Sequence, residues 1–306
     1  MRSACAWVSE RATLVRIEAG RIEEYAAELE AAGEGQSDPD PADPVTDVGD
    51  ADREARAAFA VCLNAINFGS GWWPTIRKRP GHSGFFTVAA GVAERFRERG
   101  PWTAAELEGI DAAAVAAVLG QDLEHPLMEQ FAASLRDVGA HVGTDHAASF
   151  ARLADDGDGS APALADLLAG WAAFADVSDY EGRPVPFFKR AQLAAADLGR
   201  SAVVALTGLD RLTAFADNLL PQVLRVDGLL RLDPALEAEI EAGRLLEHGS
   251  PGEVELRACA VHAVELLAAA PAGGLSPAQL DQLLWNRGRA RRYKALPRPR
   301  CRTTAY

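Results

Sequence analysis

The chain has 306 residues, 48% hydrophobic and 25% charged, with 31 Lys and Arg against 44 Asp and Glu, a formal net charge of −13. That length holds one large or two ordinary domains, with a core that needs no staples. Affinity for DNA or RNA comes largely from neutralised phosphates, so the acidic excess argues against a general nucleic-acid binder and leaves small-molecule chemistry open. Cys5, Cys62, Cys259 and Cys301 stand far apart with no CxxC, which points to reduced thiols and a cytoplasmic setting. Glu10 and Arg11 interrupt the N-terminal apolar run, unlike a signal peptide, and no stretch approaches the roughly 18 consecutive apolar residues of a membrane span. Charge is unevenly placed: Asn286–Tyr306 holds eight basic and no acidic residues, so everything before it carries a net −21. The apolar residues of this tail predict that it packs back on the body.

In chain order, residues 1–32 read as helical, and the acidic, Pro- and Gly-rich stretch from Gly33 to Asp50 as a linker. Residues 51–67 resume a helical pattern that stops at Gly69-Ser70-Gly71. The following loop mixes glycines and prolines with aromatic residues, the composition of a lid or binding loop. Helices follow over 87–99, 111–119, 126–142 and 145–153, with a capping box at Thr103 and Glu106. Asp155–Ser160 lacks the ligand spacing of a calcium loop, so no metal is expected. Leu164, Leu167, Leu168, Trp171 and Phe174 share one helical face. Further helices are expected over 187–206, 212–226, 234–242 and 250–270, and a last one capped by Ser276 and Gln279. RPVPFF and LRVDGLLRL are the strand candidates. The expected fold is mainly α with at most a small β element. Residues 1–50 form an N-terminal helix and linker, and 51–306 a helical unit, with possible subdomains at about 51–160 and 161–306.

Buried carboxylates are costly unless they are paired or working. In Leu212–Val226, Asp217 interrupts an apolar face just ahead of Pro221; it is either paired with Arg211 or Arg225 or available for chemistry. Along 250–270, Glu255 and His262 share a stripe of a nearly all-apolar helix, as core residues or as site residues. Lys189 and Arg190, after Pro186 at a helix start, make a candidate phosphate site or a solvated basic edge. No Walker loop, GxGxxG opening a helix after a strand, HExxH or GxSxG is present.

The strings FADVSDYEGRPVPFFKRAQLAAADL (174–198), LTAFADNLLPQVLRVDGLL (212–230), LLEHGSPGEVELRACAVHAVELL (245–267), LLWNRGR and RPRCR resemble the queuosine salvage proteins, queuosine 5′-phosphate N-glycosidases, over roughly residues 55–302. The resemblance implies a fold related to helix-hairpin-helix DNA glycosylases, hydrolysis of queuosine 5′-phosphate to queuine and ribose 5-phosphate, and no cofactor. It implies a free nucleotide as substrate, with no stable nucleic-acid partner and no membrane. It makes Asp217 the catalytic carboxylate, Lys189 and Arg190 the phosphate ligands with Arg225 or His262 as helpers, and Gln222 a further substrate-binding residue. Phe68, Trp72 and Trp73 either sandwich the base or plug the core. Asp176, Asp179 and Glu255 are candidates for the acid that meets the secondary ammonium of queuine. One departure stands after Phe68: better-known members carry an acidic residue in the aromatic stretch, and here Gly69–Pro80 has none. Altered substrate choice is one consequence. Two other readings are a DNA-repair-like glycosylase, disfavoured by the net charge, and a modified-nucleotide binder without turnover.

Overall fold

Capping chemistry sets many of the helix ends. In the computed structural model, which describes residues 1–33, 51–271 and 274–306, the elements run α1 (Arg2–Arg11), β1 (Val15–Ile17), α2 (Ile22–Gly33), α3 (Arg53–Ala65), α4 (Gly84–Arg99), α5 (Ala104–Glu108), α6 (Ala112–Leu119), α7 (Leu127–Asp145), α8 (Phe150–Asp155), α9 (Ala161–Ala169), β2 (Val177–Tyr180), β3 (Arg183–Pro186), α10 (Lys189–Arg200), α11 (Leu219–Val226), β4 (Leu230–Leu232), α12 (Pro234–Glu241), α13 (Pro251–Ala268), α14 (Pro277–Gly288) and α15 (Arg291–Lys294). Residues 34–50 of the stretch read as a linker lie outside the described residues. Thr103 and Glu106 close a capping box on α5, as Ser276 and Gln279 do on α14. Asp111 caps α6 and Gly120, at φ 62°, ends it. The fold is mainly α; the sheets among the described residues are two antiparallel pairs, β1 with β4 and the β2–β3 hairpin.

Three helical expectations are corrected. Residues 1–32 are not one helix: the chain extends through β1, whose Val15 pairs with Leu232, and Glu255 accepts the Leu14 and Val15 N–H groups. Trp171 and Phe174 lie beyond α9, in and beside a 3₁₀ turn, so the apolar stripe is buried but not one helical face. Residues 212–217 are not helical, and α11 begins only at Leu219. The cause is Asp217, whose Oδ1 takes the N–H groups of Leu219 (2.6 Å) and Leu220 (3.2 Å). Pro221 then falls in the first turn, where its missing N–H costs no helical bond.

Two main hydrophobic bodies result. Phe59, Leu63, Phe131, Leu135 and Phe174 belong to the first, built from α3–α10; Tyr25, Leu29, Val223, Val264 and Leu284 belong to the second, around α13. The N-terminal elements are part of the second body, and α1 joins α13 and the hairpin through Cys5, Val8, Tyr180, Val185 and Val261. All four cysteines are free and buried. No helix among the described residues is long and apolar enough to cross a membrane.

Candidate active site

Between the two bodies lies a cavity of about 640 Å³. The first body contributes Asn64 and Asn67 at the end of α3, Trp73 from the glycine-opened loop, Phe85 and Phe86 from α4, and Lys189 and Asp197 from α10. Phe215, ahead of α11, also belongs to the first body; the second side contributes Asp217 and Asn218 from the same segment, Asp281 and Trp285 from α14, and Lys294, Arg298 and Arg300 from the tail.

The aromatic wall is built by close approach. Trp285 meets Phe85 edge-on at 6.4 Å and Phe86 at 5.9 Å, and the Arg289 guanidinium lies 5.2 Å from both the Phe86 and Trp285 rings. Trp73 stands against Gly84; a Cβ there would come within 2.4 Å of the indole. The Trp73 Nε1–H is buried without a hydrogen-bond partner among the described residues.

The polar groups gather below. Asp217 is half-buried; Leu219 and Leu220 occupy its Oδ1, and its Oδ2 has no partner among the described residues. Neither Arg211 nor Arg225 bonds it. Lys189 Nζ donates to the Asn67 carbonyl at 3.0 Å, and burial lowers its pKa to about 8 against the pull of Asp217. Asp281 Oδ1 accepts the Phe215 N–H at 2.9 Å, and burial, with Asp217 adding, raises its pKa to about 7. Arg298 has no hydrogen-bond partner among the described residues; burial lowers its pKa and Asp217 raises it. Asp197 is occupied by Asn64 Nδ2 (2.7 Å) and Arg200.

Of the residues singled out from the sequence, Asp217, Lys189 and Trp73 meet in this cavity. The others are held elsewhere. Arg190 is buried and donates to the carbonyls of Ala65, Thr304 and Ala305, under Phe68 at 4.8 Å. Phe68 packs edge-on to Phe131 in the first body. Trp72 is buried in that body with Arg302 over its ring. Asp176 pairs with Arg257 at 2.7 Å and accepts the Lys189 N–H at 3.0 Å, while its carbonyl takes the Phe187 and Phe188 N–H groups. The start of α10 is therefore filled by the chain's own carboxylate rather than open to a phosphate. Asp179 is exposed and holds the Gly182 N–H in the hairpin turn. Glu255 clamps Leu14, Val15 and the Tyr180 hydroxyl. Gln222 bonds the Tyr293 carbonyl, Arg225 pairs with Glu237, and His262 is half-buried near Glu10 and Glu265. Among the described residues, no cluster of His, Cys, Asp and Glu is suited to a metal ion.

The tail is divided between two tasks. Arg287 and Arg292 pair with Asp227, whereas Arg289, Lys294, Arg298 and Arg300 line the cavity. The sequence reading missed Asp281, Trp285, Phe85 and Phe86. One signal was present: Asp281, Trp285 and Gly288 fall on one stripe of a single helix.

Aromatic walls, inward carboxylates and a cationic rim define a helical protein with a concave site suited to one small, flat, anionic molecule. The chain belongs to the queuosine salvage protein family: the family model described as Queuosine salvage protein matches residues 48–306. A Sphaerobacter thermophilus protein named queuosine 5′-phosphate N-glycosylase/hydrolase is 35% identical over 266 residues, 83% of this chain and 82% of the relative. Proteins of the same name from Bos taurus (30% over 194 residues; 61% of this chain, 57% of the relative) and Schizosaccharomyces pombe (35% over 103 residues; 32% and 30%) are also similar.

Proposed function

We propose that this chain hydrolyses the N-glycosidic bond of queuosine 5′-phosphate, releasing queuine and ribose 5-phosphate. The observation that carries this reading is the Asp217 carboxylate, fixed by two backbone N–H groups through one oxygen, with the other unbonded in a cavity walled by aromatic rings. Breaking the bond builds positive charge on the ribose. A preoriented carboxylate stabilises that charge and takes a proton from the attacking water. Its orientation is fixed in advance by the start of α11, so no reorganisation accompanies the reaction.

The flat base lies among Trp73, Phe85, Phe86 and Trp285, and the phosphate meets Lys189 and Arg298. Both cations are largely withdrawn from water, which strengthens a charge-assisted contact. The substrate is a free nucleotide; the acidic body does not suit a duplex.

The test is incubation with queuosine, queuosine 5′-phosphate and guanosine 5′-phosphate, with free base read by mass spectrometry. Queuine is expected from queuosine 5′-phosphate. Asp217→Ala should abolish that release, a loss of at least about 10²–10³-fold in kcat, with the unfolding midpoint little changed. Parental turnover in that variant removes Asp217 from the reaction.

A further inference from the structure

A second carboxylate faces the same cavity from the opposite element. Asp281 is the fifth residue of α14, four residues before Trp285, so the acid and the indole project together from one face into the cavity. Its two oxygens are unlike. Oδ1 accepts the N–H of Phe215, two residues ahead of Asp217, while Oδ2 has no partner among the described residues. The groups that bear on it are Asp217 on the segment before α11, and Lys189 and Arg200 on α10.

Asp217 and Asp281 therefore form an unequal pair. Asp217 is half-buried and has two N–H donors at a helix start, which stabilise a negative charge. Asp281 is buried with one N–H donor, and burial, with the nearby Asp217 charge adding, raises its pKa to about 7. Two carboxyl groups in such unlike surroundings can divide acid and base work between them.

A 7-deazapurine has carbon in place of N7, so it lacks the atom at which purine leaving groups are ordinarily protonated. An acid reaching a different ring nitrogen meets that need. We propose that Asp281 is this acid: its carboxyl proton goes to a ring nitrogen of the departing base while Asp217 takes a proton from the attacking water. The assignment rests on the functional reading above. The C1′–N bond breaks with its electron pair going to the base, the Asp281 proton neutralises the base, and the water oxygen bonds C1′. One turnover leaves Asp281 ionised and Asp217 protonated, and passage of that proton back through cavity water resets the pair. The Phe215 N–H stabilises the carboxylate that forms on Asp281.

The experiment compares two substrates. Queuosine 5′-phosphate needs its leaving group protonated; 4-nitrophenyl β-D-ribofuranoside 5-phosphate leaves as a stable phenolate and does not. Asp281→Asn keeps an acceptor for the Phe215 N–H and removes the acid. It should lower kcat/KM on queuosine 5′-phosphate by about 10²–10⁴-fold and on the nitrophenyl substrate by less than about tenfold. Asp217→Asn should lose both. In the parent, kcat/KM for queuosine 5′-phosphate should fall as pH rises through about 7, and the nitrophenyl substrate should show only the later fall near 8, shared by both 5-phosphates, where Lys189 loses its charge. This profile decides the matter even where the variant does not fold. Equal losses on both substrates, or no loss, overturn the acid role, as does a parental profile that is the same for both. A parent that frees nitrophenolate but no queuine overturns the functional reading itself, and this assignment with it.

Discussion

Arg257→Met is expected to be among the more damaging single changes in this protein. Arg257 and Asp176 are paired at 2.7 Å, with side chains 2% and 1% exposed. The pair also braces the site from behind. Arg257 Nε holds the carbonyl of Ala216, next to Asp217, and Asp176 holds the N–H of Lys189. The guanidinium is sandwiched by Phe187 at 3.9 Å and Tyr306 at 4.0 Å, so methionine fills much of the same volume and the lost charge dominates. What remains is two buried carboxylates: Asp176, with one backbone donor on Oδ2 and none on Oδ1 among the described residues, and Glu253, whose Oε1 lies 3.6 Å from the guanidinium. Stranding one partner of a buried ion pair costs about 3–5 kcal/mol. For a chain of this size that is a fall of roughly 5–8 °C in Tm. Thermal unfolding followed by circular dichroism measures it. Asp176→Asn combined with Arg257→Met should cost less than the sum of the single changes by at least about 1 kcal/mol. A single variant within about 1 kcal/mol of the parent, or strict additivity in the double, refutes the reasoning.

Other outcomes follow from the same geometry. Lys189, held by burial at about 8, is charged below that pH and loses its charge as pH rises through it. The KM for queuosine 5′-phosphate should therefore rise above that pH, by about 10–100-fold at full loss, and Lys189→Met should show the high value at every pH. Gly84→Ala places a Cβ 2.4 Å from the Trp73 ring, so steady-state kinetics should show KM raised severalfold with kcat nearly kept as the indole is displaced. Arg190→Met leaves the carbonyls of Ala65, Thr304 and Ala305 without their donor and should lower stability by about 2–4 kcal/mol in denaturant titration.

Capping chemistry is local, and so it was legible: Thr103, Asp111 and Ser276 do in the fold what their neighbours in sequence imply. The polar residues of the apolar segments were visible as anomalies, but a buried charge has two uses and its sequence surroundings do not separate them. Asp217 turned out to lie in the cavity, while Glu255, Asp176 and Arg190 tie distant backbone together. Their partners lie far away in sequence: Glu255 meets Leu14, and Arg190 meets Ala305. Asp281 escaped notice for the converse reason. In PAQLDQLLW it reads as part of an ordinary polar face, and only the packing of α14 over the cavity makes that face an inner one. The helix start at Leu219 was missed because the apolar spacing runs on from Leu212; in the fold Pro221 marks a first turn.

The pairing of β1 with β4 has a consequence for the timing of synthesis. Val15 and Leu232 are register partners, and Glu255 then locks the same strand. At about 5–20 residues per second, the first strand waits roughly 10–40 s for its partner to leave the ribosome. During that interval the apolar side of α2, with Tyr25 and Leu29, lacks its final neighbours on α13 and α14, while α3 to α10 can already close around Phe59 and Phe131. A nascent chain that buries its middle before its beginning is one for which holding factors, rather than faster translation, should raise the yield.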